Sequence, residues 1–127
     1  AYAEAAIVYD RYFAAMDALF EGKPAPYYDF DSGDCYILLA QAYLAMGERE
    51  RAMDCVEKAI DNCIARLEPD REHISPFIRQ SKINWAFTPV SREVVRVNCM
   101  EKLASPEIAP PKGDARFTAL QKRVEKL

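Results

Sequence analysis

From Tyr2 to Phe20 the chain contains neither Pro nor Gly, and Tyr9, Tyr12, Phe13, Met16, Leu19 and Phe20 recur at steps of three and four. Asp10, Arg11, Asp17 and Glu21 fall between them. That spacing gathers the apolar side chains on one face and predicts an amphipathic helix of about five turns over 1–21. Gly22, Pro24 and Pro26 end it, and an aromatic, acidic run at 27–31 leads to Ser32-Gly33-Asp34. Ser32 or Asp34 is a candidate N-cap, since a short side-chain oxygen accepts one of the N–H groups that a first helical turn leaves unpaired. A second helix is expected from there, with Tyr36, Leu39, Ala40, Tyr43 and Leu44 on one face. Gly47 supplies a left-handed stop, and a charged Glu48-Arg49-Glu50-Arg51 turn precedes a third face of Ala52, Cys55 or Val56, Ala59 and Ile60. The reading is a tight antiparallel hairpin over 33–67, its second helix running toward Arg66 or Leu67 and stopping before Pro69.

Beyond Pro69 the pattern breaks. Ile74-Ser75-Pro76-Phe77-Ile78 and Ile83 to Pro89 are apolar but interrupted by Pro, Ser and Asn, which reads as an ordered connection over 68–91. Ser91 is placed to cap a helix from Arg92 to about Leu103, its stripe carried by Val94, Val95, Val97 or Asn98, and Met100 to Leu103. Pro106, Pro110, Pro111 and Gly113 form another break. Asp114 then caps a last helix with Phe117, Leu120, Val124 and Leu127 at helical spacing and Arg116, Lys122, Arg123 and Lys126 facing out. The expected architecture is one all-α domain of about five helices, with the C-terminal helices in 92–127.

The stretch 33–64 resembles a tetratricopeptide repeat, a helix-turn-helix unit, when Gly33 is taken as its first position. Tyr36 then stands at the repeat's Trp position, Leu39 and Ala40 at its Leu-Gly pair, Tyr43 at its Tyr and Gly47 at its turn. Ala52, Val56 and Ala59 occupy the small-aromatic-small set of the second helix. Small residues suit places where helices approach closely, and large ones fill the gaps between. Ile64 replaces the Pro that usually ends the unit. Only one full repeat is legible, and a lone hairpin leaves two faces bare. The first helix is therefore expected to pack on one side, as the remnant of a preceding repeat, and the C-terminal helices on the other.

Composition narrows the function. Half of the 127 residues are hydrophobic, enough for a modest core. There is no apolar run of membrane-spanning length and no signal-peptide pattern, and Cys35, Cys55, Cys63 and Cys99 lie in helical text without a CxxC pair. Reduced thiols and a cytoplasmic location are expected. The formal charge of -3 is split: residues 1–69 carry 6 basic and 13 acidic side chains, residues 70–127 carry 11 and 7. Such a split either steers the tail onto the acidic half of its own or a neighbouring molecule, or is plain surface composition, the simpler of the two. Neither half has the concentrated basic stripe of a nucleic-acid binder.

Catalytic chemistry finds little footing. His73, the single histidine, lies in charged text with no nucleophile signature around it and reads as a loop residue. A metal site from Cys35, Cys55, Cys63 and His73 would need spacings unlike the 20, 8 and 10 residues present. Asp29, Asp31 and Asp34 do not make a calcium loop, because Ala40 stands where the bidentate Glu belongs. No catalytic residue, metal or cofactor is assigned. Trp85 and Phe87 are aromatic anchors for either a core or an interface. The tetratricopeptide resemblance implies a groove lined by Asp34, Ile37, Gln41, Leu44 and Ala45, suited to an apolar helix or short peptide; the alternative is that these residues pack on the first helix or on 74–88.

The order of elements is similar to that of the C-terminal domain of bacterial Xre-type, lambda-repressor-like transcriptional regulators. The similarity covers the aromatic first helix, the Asp- and Tyr-containing link, the Gly47 hairpin, His73-Ile74-Ser75-Pro76-Phe77 and the closing Asp114-Ala115-Arg116-Phe117. It implies a cytoplasmic oligomerisation or signal-sensing module, with a peptide, a protein or a second copy as partner. DNA would then be bound only by a helix-turn-helix of about 60 residues ahead of Ala1, where the chain opens uncapped and without Met. A free-standing scaffold or adaptor is the other reading.

Overall fold

A computed structural model describes residues 1–20, 29–67, 91–108 and 114–127, without the side chains of 19, 20 and 29–33. Among the described residues there are five α-helices and no strand: α1 Tyr2–Phe20, α2 Asp29–Ala45, α3 Arg49–Ala65, α4 Arg92–Leu103 and α5 Ala115–Glu125, with a 3-10 turn at Pro106–Ile108. The connection at 68–90, with His73, Trp85 and Phe87, lies outside the described residues, as do the breaks at 21–28 and 109–113.

The α2–α3 hairpin forms the centre. Ala40 of α2 and Ala52, Ala59 and Ile60 of α3 are wholly buried, and Leu39, Tyr43 and Val56 nearly so. Side chains without bulk let the two axes approach, while Leu39, Val56 and Ile60 fill the space beside them. The hairpin closes at Met46-Gly47-Glu48. Gly47 has φ +78°, Glu48 N–H donates to the Tyr43 carbonyl at 2.8 Å and Gly47 N–H to the Leu44 carbonyl at 3.1 Å. This 6→1 and 5→2 pair is a Schellman ending, which needs a left-handed residue and so favours glycine.

α1 packs on α2, and the contact is aromatic: the Phe13 and Tyr36 rings stack with centroids 3.5 Å apart, and Tyr12 meets Phe13 edge-on. At the other end of this contact the Tyr43 hydroxyl donates to both oxygens of Asp10, at 2.8 and 3.0 Å, and the Arg51 guanidinium lies over the Tyr43 ring, 4.4 Å from its centroid. α4 and α5 pack on α3, burying Val95, Cys99, Leu103, Leu120 and Val124. The 3-10 turn returns to α2 with Ile108 buried.

Both C-terminal helices begin at the caps read from the sequence. Ser91 accepts from Val94 N–H at 3.3 Å, and Asp114 accepts from Arg116 and Phe117 N–H at 2.9 and 3.1 Å. The start of α2 differs from expectation. The helix begins at Asp29, and Asp34 is not a cap but an interior residue, its carboxylate 3.1 Å from Lys102 Nζ. An acid with cap propensity also suits an exposed helical face when a cation arrives from elsewhere in the chain.

Candidate interaction surface

The predicted groove stripe on α2 is divided by the fold. Asp34 and Ala45 are exposed, Gln41 and Leu44 are half-buried, and Ile37 is buried in the core. The sequence reading offered Ile37 as a groove residue; the structure places it inside. The 3-10 turn packs on α2 and Lys102 pairs with Asp34, so the chain's own C-terminal segment closes over part of this face. Leu38, which the sequence reading did not single out, is exposed. The exposed side chains along this part of α2 are thus Asp34, Leu38 and Ala45, with Gln41 half-buried between them. The positions aligned with the repeat, Tyr36, Leu39, Ala40, Tyr43, Ala52, Val56 and Ala59, are all buried in the hairpin or against α1.

Two other faces carry more apolar surface. On α1, Ile7 and Val8 are 52% and 64% exposed. Ala3, Ala14, Ala15 and Ala18 are exposed as well. On α4, Val94, Val97 and Met100 are exposed at steps of three and so share one face. Beside Met100 a cleft of about 180 Å³ opens between α4 and α5, lined by Leu103, Ala104, Gln121, Val124 and Glu125. That is below the roughly 300 Å³ of a small-molecule site and fits a single side chain of a partner.

Charge plays a part that composition left undecided. Arg116 of α5 reaches the acidic stripe of α3: Nη2 lies 2.7 Å from Asp54 Oδ1 and 3.0 Å from Glu57 Oε2, and Nη1 is 3.3 Å from Glu50 Oε2. Arg123 continues the pattern at 2.7 Å from Asp61, Arg49 Nε donates to Asp114 at 2.9 Å, and Lys102 holds Asp34. The simpler reading of the charge split as surface composition is therefore replaced. The basic tail lies on the acidic half of its own chain, joined to it through Lys102, Arg116 and Arg123; Arg123 is exposed, as expected, while Arg116 is half-buried. The Arg116 carboxylate partners push its guanidinium pKa further up, and the hydrogen bond from Arg49 comes first in holding the Asp114 carboxyl below its usual range. Replacing Arg116 by Ala is expected to lower stability by about 1 kcal/mol, and by Glu by more, because a further carboxylate then faces three. Urea unfolding of both variants measures this, and the difference from the parent should shrink at about 1 M salt.

Two buried thiols are held in the protonated form. Burial pushes Cys55 up to about 12, and Cys99 is raised by its hydrogen bond with Cys63 and then by burial, so both stay protonated at neutral pH. No cluster of His, Cys, Asp and Glu able to hold a metal occurs among the described residues. No described helix is long and apolar enough to cross a membrane. No family model, curated protein or solved structure matches the chain.

Proposed function

We propose that this chain is the oligomerisation or signal-sensing module of an Xre-type transcriptional regulator, a cytoplasmic domain that binds a protein or peptide and not an enzyme. The observation that carries this is the surface. Exposed apolar side chains are gathered on continuous helix faces, Ile7 and Val8 on α1 and Val94, Val97 and Met100 on α4, which suit a partner helix better than a small substrate. The residues of the closing motif on which the resemblance rests have a structural role. Asp114 caps α5, Arg116 fastens it to α3 and Phe117 packs on the core, so three residues of Asp114-Ala115-Arg116-Phe117 hold the last helix in place. DNA contact belongs, on this reading, to a segment ahead of Ala1.

A free-standing tetratricopeptide-type scaffold is the second reading, favoured by the close α2–α3 packing through Ala40, Ala52 and Ala59. Translation of the genomic reading frame upstream of Ala1 separates the two. A helix-turn-helix of about 60 residues there supports the regulator. Further helical hairpins, or a start codon immediately upstream, would leave the scaffold.

A further inference from the structure

The outward face of α1 has a self-complementary charge pattern. With 100° between successive residues, Ala6, Tyr9, Phe13 and Met16 point toward α2, and Glu4, Ile7, Arg11, Ala14 and Ala18 lie opposite them, with Val8 and Ala15 at the flank. All seven are exposed, and Glu4 and Arg11 are the charged members. They stand one heptad apart, equidistant from the midpoint between Ile7 and Val8. If two copies of α1 run antiparallel across a two-fold axis through that midpoint, each Glu4 falls at the height of the partner's Arg11. Ile7 and Val8 of both copies meet at the axis, and Ala14 lets the backbones approach.

We infer that the occupant of this face is a second copy of the chain, joined through an antiparallel α1–α1 contact centred on Ile7 and Val8 with two reciprocal Glu4–Arg11 pairs. The inference rests on the reading of the domain as an oligomerising module and names the surface it uses. A parallel pairing would set Glu4 against Glu4 and Arg11 against Arg11, so the charges select orientation more than they add affinity. One helix pair buries less than the roughly 1,200 Å² at the lower edge of standard interfaces, which points to micromolar association.

Sedimentation equilibrium of the full chain over roughly 1–500 µM tests this, with far-UV circular dichroism to verify the fold of each variant. The parent is expected to dimerise. Glu4→Arg alone and Arg11→Glu alone each bring two like-charge pairs into the contact, and each should weaken the dimer about tenfold or more. An equimolar mixture of the two single variants restores both pairs in the heterodimer, and so does the double variant in its homodimer; both should return to within about threefold of the parent. Rescue by mixing separates the contact from any defect within α1, since each single variant keeps its own substitution. A chain that stays monomeric throughout, or a dimer indifferent to these exchanges, overturns the α1 contact. Either result leaves the regulator reading to the upstream sequence, and a missing helix-turn-helix in turn leaves the dimer standing.

Discussion

Raising the pH from about 9 to about 12 is expected to unfold this domain, with stability falling most steeply as two buried tyrosines ionise in the unfolded chain. Burial is the first cause at both Tyr36 and Tyr43, and it raises each phenol from 10.0 to about 12. The negative charges of Asp17 at Tyr36 and the hydrogen bond to Asp10 at Tyr43 act in the same direction. A folded-state pKa above the unfolded one means that the native state holds its proton longer. The associated stability is complete below pH 10 and is lost as the pH rises through the folded value. Taken at about 1.4 kcal/mol per unit, the two phenols account for roughly 5 kcal/mol, comparable with the whole stability of a small domain. Cys55, raised from 9.0 to about 12 chiefly by burial, adds to the loss and starts it earlier.

The informative comparison is Tyr43→Phe. This change removes the hydrogen bond to Asp10 and costs about 1 kcal/mol at neutral pH, but it also removes one titrating group. The variant should therefore lose less stability than the parent between neutral pH and pH 12, and above about pH 11 the two urea midpoints should converge. Equal alkaline slopes in parent and variant would show that Tyr43 does not carry the effect.

Ile60→Ala is expected to destabilise the fold by about 3–4 kcal/mol. Ile60 is wholly buried on α3, the helix that touches α2 as well as α4 and α5. Its neighbours Ala59 and Val56 are short and fixed by the close hairpin contact, which limits relaxation into the gap. Ile60→Val should cost about 1 kcal/mol, and Ile64→Ala, on a half-buried side chain of the same helix, clearly less than Ile60→Ala. Denaturant titrations with an unchanged slope give the ranking. A loss below about 1 kcal/mol for Ile60→Ala would mean that the core closes over the void.

What the sequence made legible is what local chemistry determines. Gly47 sits between two apolar faces and has the positive φ that a helix stop of this kind uses; Ser91 and Asp114 precede apolar runs and cap them. These signals span a few residues and carry their own physical reason. The misreadings all involve partners far along the chain. Asp34 looked like a cap because nothing nearby shows that Lys102 will pair with it. Ile37 was offered as a groove residue because its place on the helix does not show that it is enclosed in the core. Arg116 was expected to face out because periodicity gives the face of a helix but not the neighbour it meets. The outward face of α1, with Ile7 and Val8, was not singled out from the sequence, because which side of the helix α2 occupies is a tertiary fact.

The clasp of Arg116 on Glu50, Asp54 and Glu57 also orders events in time. The hairpin closes across a three-residue turn, whereas Arg116 must come back over 59 to 66 positions of chain to reach its carboxylates. Contacts of such different span form at different rates, because closing the longer loop restricts more chain before any contact compensates. The α2–α3 pair is therefore expected to close before α5 docks, and until α5 does so Glu50, Asp54, Glu57 and Asp61 of α3 lack the partners that Arg116 and Arg123 supply. A chain shortened to end before Asp114 is expected to leave these four carboxylates of α3 without those partners and facing its surroundings.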